Sequence, residues 1–384
     1  MSKNPNPKPT FNKPTLIGNE EKYVLQALRS AHASGNGEFT QRAHEELKQI
    51  VDGGNILLTT SCTAALEMAS HLACIEPGDE VIMPSFTFAS TANAVVQRGG
   101  VPVFVDIRKD TLNIDETLIE AAITSRTRAI FIVHYAGVGC QMDSIMAIAK
   151  QYKLMVVEDA AQALGAYWRA KPLGRFGALS AFSFHETKNL ISGEGGALVV
   201  NDPDLVDRAE IIWEKGTNRV KFKRGEISKY TWVDVGGSYL PSEITAAFLL
   251  AQLEQVEAAT TERLSRWHVY NDAFADLDTQ GLLRRPRIPE ECRHNGHIFY
   301  ILAPSAALRE RWQATLSRVG VPALIHYVPL HSAPAGLRFG RVEGPMTVTD
   351  DISSRLLRLP LHLQLTQDEQ DYVIENIRQT ALQG

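Results

Sequence analysis

The sequence predicts an α/β protein, a large mostly parallel seven-stranded sheet domain followed by a smaller C-terminal α+β domain. Three observations carry this. Seven short apolar runs lack a polar face, as expected of strands covered on both sides. Helical patterns separate most of them, the alternation that builds parallel sheets. Beyond a long helical stretch near residue 250 the regular alternation ends, which marks a second unit.

Along the chain, MSKNPNPKPTFN is polar and proline-rich and reads as a flexible tail over 1–12. Residues 18–50 read as helix with a break at 34–37. The strands follow: NILLT (55–59), EVIMP (80–84), VPVFVDI (101–107), RAIFIV (128–133) and KLMVVED (153–159), then ALSAFSF (178–184) and GALVVND (196–202). Helices are expected near 63–76, 87–98, 115–124, 141–152 and 203–215, and SEITAAFLLAQLEQV opens a long connecting helix over 242–266. HIFYILA (297–303) and PALIHYVPL (322–330) read as strands of the smaller unit. The expected boundaries are 13–250 for the large domain and 251–384 for the small one.

Composition narrows the function. The 384 residues are 44% hydrophobic and 22% charged, a globular balance. A net charge of -5 gives no general attraction for nucleic acid or an anionic membrane. The N-terminus lacks a basic end followed by an apolar run, and no stretch is long and apolar enough to span a bilayer. Cys62, Cys74, Cys140 and Cys292 are scattered without metal-binding or disulfide spacing, so no metal is expected and a reducing cytoplasm is.

Three segments can carry chemistry, and each has a plainer reading. In TTSCTAALEMA, Thr60 or Ser61 caps a helix; the backbone amides near Cys62, Thr63 and Ala64 would also suit a phosphate, because amides and macrodipole both favour an anion there. In VVEDAAQ, Asp159 ends a strand at the edge where ligands gather. It is either a cap or the partner of a buried cation, such as a cofactor pyridinium that it would keep protonated. In FSFHETKNLISGEGGALV, Lys188 stands between an apolar strand and a turn with Gly193, Gly195 and Gly196. A loop lysine is usually solvated, but desolvation in a crevice would lower its pKa and let the amine form a Schiff base.

In this order the segments resemble the DegT/DnrJ/EryC1/StrS sugar aminotransferases, which are fold type I pyridoxal 5′-phosphate enzymes. FNKPTLIGNEEKYV, GNGEFT, PGDEVIMPSFTFASTANAV and VEDAAQALGA strengthen the likeness, which runs from about Phe11 to about Pro360. The resemblance implies that Lys188 holds the cofactor as a Schiff base and shuttles the proton in each half-reaction. It further implies that Asp159 pairs with the ring nitrogen, Phe88 stacks on the ring and Gln162 lies near the ring hydroxyl. Cys62, Thr63, Ala64 and Ser183 would hold the phosphate.

Where many members carry Asn-Tyr-Arg, with the Asn reaching the neighbouring subunit's phosphate, this chain has Ser238, Tyr239 and Leu240. The dTDP-4-amino-4,6-dideoxygalactose transaminases share that Ser-Tyr-Leu, as well as HETKN, HYAG and the stretch from GTNR to KYTW. The resemblance therefore implies amino transfer from L-glutamate to the C4 ketone of dTDP-4-keto-6-deoxy-D-glucose, for surface polysaccharide biosynthesis. It also implies a homodimer with shared active sites, crossed by the loop at 35–39 and by Ser238. Alternatives are a GDP-linked 4-keto sugar, a dTDP-linked 3-keto sugar, or a non-catalytic regulator that binds the cofactor. A dehydratase of the family would have His in place of Lys188.

The basic stretch holding Lys215, Arg219, Lys221, Lys223 and Arg224 is either a solvated loop or a diphosphate clamp, with Arg219 and Lys223 the foremost contacts. His326 and His331 either face the site or serve as core and surface residues, and His185 and Glu194 beside Lys188 divide the same way.

Overall fold

The computed structural model describes residues 8–383. The seven expected strands all form, in the spatial order Asn55–Thr59, Gly196–Val200, Leu179–Ser183, Met155–Asp159, Thr127–Val133, Glu80–Pro84 and Val101–Val105. Only Gly196–Val200 runs against its neighbours. Successive residues of these strands enter different cores. Ile130 and Ile132 join one cluster, and Ala129 and Phe131 join the cluster on the opposite face. Both sides are covered, which is why the runs show no polar alternation.

An eighth strand corrects the expected count. Arg341–Val342 lies parallel to Val101–Val105 at the sheet edge. Arg341 holds both oxygens of the buried Glu80 at 3.0 Å, so a C-terminal segment is tied to the large sheet. Remaining segments build a two-stranded antiparallel sheet, Phe299–Leu302 with Leu356–Leu359, around a core that includes Trp267, Phe274, Phe299, Leu357 and Ile377.

Several expectations are revised. The stretch 203–215 is a short 3-10 turn capped by Asp202 and the helix Val206–Trp213. The connecting helix divides into Glu243–Leu253 and Val256–Ala273. At the break, the Tyr23 hydroxyl donates to both oxygens of Glu254, at 3.0 and 3.1 Å. Residues 322–330 form no strand; Leu324 alone pairs with Arg358, and prolines at 322 and 329 bound the run. Of the expected tail, residues 1–7 lie outside the described residues and residues 8–12 are packed. Pro9 is buried, Thr10 meets His362 at 3.3 Å, and Asn12 donates to the Glu186 carbonyl at 3.0 Å.

Candidate active site

The strands Asn55–Thr59, Glu80–Pro84, Met155–Asp159 and Leu179–Ser183 end at one edge of the sheet, and a cavity of about 720 Å³ opens there. Cys62, Thr63, Phe88, Asp159, Gln162, Ser183, Lys188 and His326 line it. That is the carboxyl edge of the parallel strands, where such folds place their ligands.

Lys188 is presented by a loop that its own backbone closes. Phe184 N–H donates to Gly195, Glu186 N–H to Gly193 and Lys188 N–H to His185, at 2.9, 2.9 and 2.8 Å. The tight turn needs Gly193, whose φ is +79°. Burial lowers the Lys188 pKa from its ordinary value, so the amine sheds its proton more readily than a surface lysine.

Asp159 is buried at the end of its strand. Its carboxylate accepts from the Thr91 hydroxyl at 2.7 Å and from Ala161 N–H at 3.2 Å. Among the described residues it forms no ion pair, and burial raises its pKa. A cation brought into the cavity is what this carboxylate lacks. On the neighbouring wall Phe88 begins the helix Ala89–Val96 with its ring 62% exposed.

The first helix start is capped and also leaves two amides open. Ser61 caps Cys62–Leu72 by accepting from Ala64 N–H at 3.1 Å, whereas the amides of Cys62 and Thr63 have no acceptor among the described residues. A Cβ on Gly196 would lie 2.3 Å from the Ser61 carbonyl carbon and 2.4 Å from the Cys62 nitrogen, so only glycine lets the strand approach the turn this closely. Thr63 and Ser90 share a hydroxyl hydrogen bond of 2.7 Å beside the two open amides.

Three expected contacts are not made within this chain's own cavity. Ala64 does not line the cavity, because Ser61 already takes its amide. Ser238 is exposed and outside the cavity of its own chain. The basic stretch is mostly neutralised by the helix that precedes it. Arg219 pairs with Glu214 at 2.9 Å, Lys215 approaches the same carboxylate at 3.7 Å, Lys221 pairs with Asp207 at 2.6 Å and Arg224 with Glu210. Lys223 lines a separate cavity of about 350 Å³ with Lys48 and Arg224.

Of the histidines, His326 lines the cavity and bonds the Tyr135 hydroxyl at 3.0 Å; burial holds it well below its ordinary pKa. His331 lies outside, bonded to Ser85 at 2.8 Å. His185 and Glu194 both line the cavity mouth, 3.7 Å apart. Gln162 accepts from Ala136 N–H at 2.7 Å and donates to the Tyr327 hydroxyl at 2.9 Å, which fixes its amide at the wall.

Sequence reading missed Thr91, Ser90, Tyr327, His297, Arg358, Phe11 and Asn12. Thr91 stands three residues after Phe88, one helical turn on, and this spacing could have signalled it. Ser90 lies in the same segment as Phe88, whereas Tyr327, His297, Arg358, Phe11 and Asn12 come from distant segments and carry no local signal.

A buried carboxylate without a cation, a desolvated lysine, an exposed aromatic face and two open amides suit a planar cationic ring bearing a phosphate, and pyridoxal phosphate is such a group. Among the described residues no cluster could hold a metal ion. Fold and site thus define an α/β enzyme built to work with pyridoxal phosphate. Residues 14–378 match the DegT/DnrJ/EryC1/StrS aminotransferase family, to which the chain belongs. Spore coat polysaccharide biosynthesis protein SpsC of Bacillus subtilis is 33% identical, over 94% of this chain and 95% of its own length. GDP-perosamine synthase of Caulobacter vibrioides is 32% identical, over 96% and 97%. Spr1654 of Streptococcus pneumoniae, a protein assigned as a sugar aminotransferase, superimposes in its PLP-form with a TM-score of 0.87 at 25% identity, over 97% of this chain and 98% of that one. Pyridoxal phosphate is the cofactor of this chain.

Proposed function

We propose that the protein is a nucleotide-sugar aminotransferase that moves the amino group of L-glutamate to the C4 ketone of dTDP-4-keto-6-deoxy-D-glucose. The observation that carries amino transfer is that Lys188 and Asp159 line one pocket at the strand ends. Bound pyridoxal phosphate supplies a carbonyl for the donor amine and a ring that takes up charge when the adjacent carbon–hydrogen bond breaks. Asp159 holds the ring nitrogen protonated. The Cys62 and Thr63 amides and Ser183 hold the phosphate, Phe88 supports the ring face, and Gln162 orients it. Lys188 would accept the proton from the donor Cα and later deliver one to the sugar carbon.

The enzyme is taken to be cytoplasmic and to serve surface polysaccharide synthesis, with residues 13–250 and 251–384 as its two domains. Among the described residues no helix is long and apolar enough to cross a membrane. We further propose a homodimer. The loop at 35–39 packs on the segment after Ser238, since a Cβ on Gly35 would lie 2.3 Å from the Pro241 carbonyl and Gly37 N–H donates to Glu243 at 3.0 Å. Ser238, Arg219 and Lys223 would then meet cofactor or substrate only from the partner subunit.

A second reading, a GDP-linked sugar as acceptor, is favoured by the likeness to GDP-perosamine synthase. The test is incubation of the yellow protein with L-glutamate, then with dTDP- and GDP-linked 4-keto and 3-keto sugars, products being read by mass and NMR. Colour indifferent to every amino donor would sink amino transfer. Amination of the GDP sugar alone would replace the dTDP assignment.

A further inference from the structure

Two arginines that line this cavity, Arg263 and Arg358, have no task in the reading above, and Arg358 is the one whose donors are not filled. It lies on Leu356–Leu359, where alternate residues point to opposite sides. Leu357 and Leu359 enter the small core, whereas Leu356 packs with Tyr135 and Tyr300, and Arg358 lines the cavity. The guanidinium is supported rather than neutralised. Its Cζ lies 5.0 Å from the centre of the Phe11 ring, and Nη2 makes one long hydrogen bond, 3.4 Å, to the Ile325 carbonyl. Nε is buried with no acceptor. Among the described residues no carboxylate is bridged to it.

The other cations at the pocket are accounted for. Arg263 donates to the carbonyls of Gly296, His297 and Leu361. Lys188 has Asp159 within electrostatic reach, and burial pushes His326 and His297 well below the ordinary histidine pKa. Arg263 thus has its donors filled by carbonyls, whereas Arg358 keeps an unfilled buried donor inside a cavity that must receive a charged substrate. A buried guanidinium with a free edge suits a carboxylate, which it binds through paired N–H groups.

We propose that Arg358 receives the α-carboxylate of the amino donor. This rests on the aminotransferase reading but not on which sugar is the acceptor. The carboxylate is bonded to the Cα that Lys188 must reach, so its site belongs beside Lys188, and Arg358 is near enough to depress the Lys188 pKa. A sugar diphosphate is separated from C4 by the width of a hexose ring and belongs nearer the mouth. Phe11, from the N-terminal segment, backs the guanidinium and lines the same cavity.

The experiment compares wild-type holoenzyme with Arg358→Leu and Arg358→Lys, each checked for an unchanged melting temperature. Arg358→Gln replaces the leucine variant if that one does not fold. Three readouts are taken: the L-glutamate dependence of bleaching, the binding of glutarate by calorimetry, and the nucleotide keto sugar dependence of colour return. Glutarate has the carboxylates but no amine, so it reports recognition without chemistry.

The expected result for Arg358→Leu is about a 10- to 100-fold higher glutamate requirement, the cost of losing a charged hydrogen bond. Glutarate binding should be lost and sugar dependence unchanged, with the lysine variant in between. An unchanged glutamate requirement, an equal weakening of both halves, or equal glutarate binding by wild type and variant would overturn the assignment. Wild-type enzyme that binds glutarate through Arg358 yet is not bleached by glutamate would displace the named donor and leave the carboxylate site standing.

Discussion

Burial acts on Asp159 and Lys188 in opposite directions, raising the carboxyl and lowering the ammonium, because each loses its charged form's hydration. With Lys188 near but no cation bonded to it, and burial the largest influence, Asp159 costs stability where it is ionised. Its folded pKa lies above the unfolded one, so the cost is absent below the ordinary carboxyl range and grows as pH rises through it. Asp159→Asn should therefore leave the cofactor-free protein at least as heat-stable as wild type at pH 7 while weakening cofactor binding about tenfold or more. Melting curves of apoprotein and titration with pyridoxal phosphate check the two halves, and a lower apoprotein melting temperature at pH 7 would refute the first. For Lys188, the neutral amine is the working base, so donor bleaching should quicken with pH and level off below the ordinary lysine value. Lys188→Ala should lower turnover by roughly 10²- to 10⁴-fold, the span of a lost acid–base group, and still bind cofactor through the phosphate site. A variant that turns over at the wild-type rate would remove Lys188 from the mechanism.

At the scale of elements, legibility followed burial. The seven long strands read correctly because both faces are apolar, and their ends could be placed because Thr60, Ser61, Asp159 and Ser183 interrupt the runs at the ligand edge. Residues 322–330 are equally apolar, but Pro322 and Pro329 limit pairing and the segment instead spreads over the cavity, with Leu324, His326 and Tyr327 on its wall. The helix break at Glu254 had no glycine or proline to announce it; its partner, Tyr23, is far away in sequence. The two-residue strand Arg341–Val342 was too short to carry a period, and long-range charge fixes it. Arg341 and Arg126 hold Glu80 ionised, with its pKa down at about 2. A depressed carboxyl contributes stability above its unfolded pKa and loses it as pH falls through the folded one, here between about 4.5 and about 2. Glu80→Gln should cost about 1–2 kcal/mol near neutral pH, since it removes the buried charged acceptor of the partly exposed Arg341 and the exposed Arg126, and the difference from wild type should shrink in acid. Urea unfolding at pH 7 and pH 3 measures both; an equal difference at the two pH values would count against the pair.

For the whole molecule, the half of the site built from strand ends was readable, whereas of the half brought by the C-terminal segments only His326 was a candidate, and Arg358 and Tyr327 were not. What lies beyond the single chain is marked by exposed apolar surface. Trp232 is 78% exposed, and Val233, Val235, Tyr230 and Phe222 are exposed in the same stretch. This stretch leads into Ser238, and the segment after Ser238 packs on the loop at 35–39, so the apolar surface adjoins both elements proposed to cross between subunits. A patch of large apolar side chains held outside a core is characteristic of a buried interface. If the proposed homodimer covers it, the protein should sediment at twice its 42.4 kDa chain mass. Trp232→Glu would bury a charge without a partner at that interface, which costs several kcal/mol and should raise the dimer dissociation constant by about 10²-fold or more. Because Ser238 would serve the partner's phosphate site, dissociation should lower cofactor affinity together with activity, while the circular dichroism of the chain stays unchanged. A Trp232→Glu protein that sediments as a monomer yet keeps full activity and cofactor affinity would show that each chain completes its own site, and Ser238 would then lose the role proposed for it.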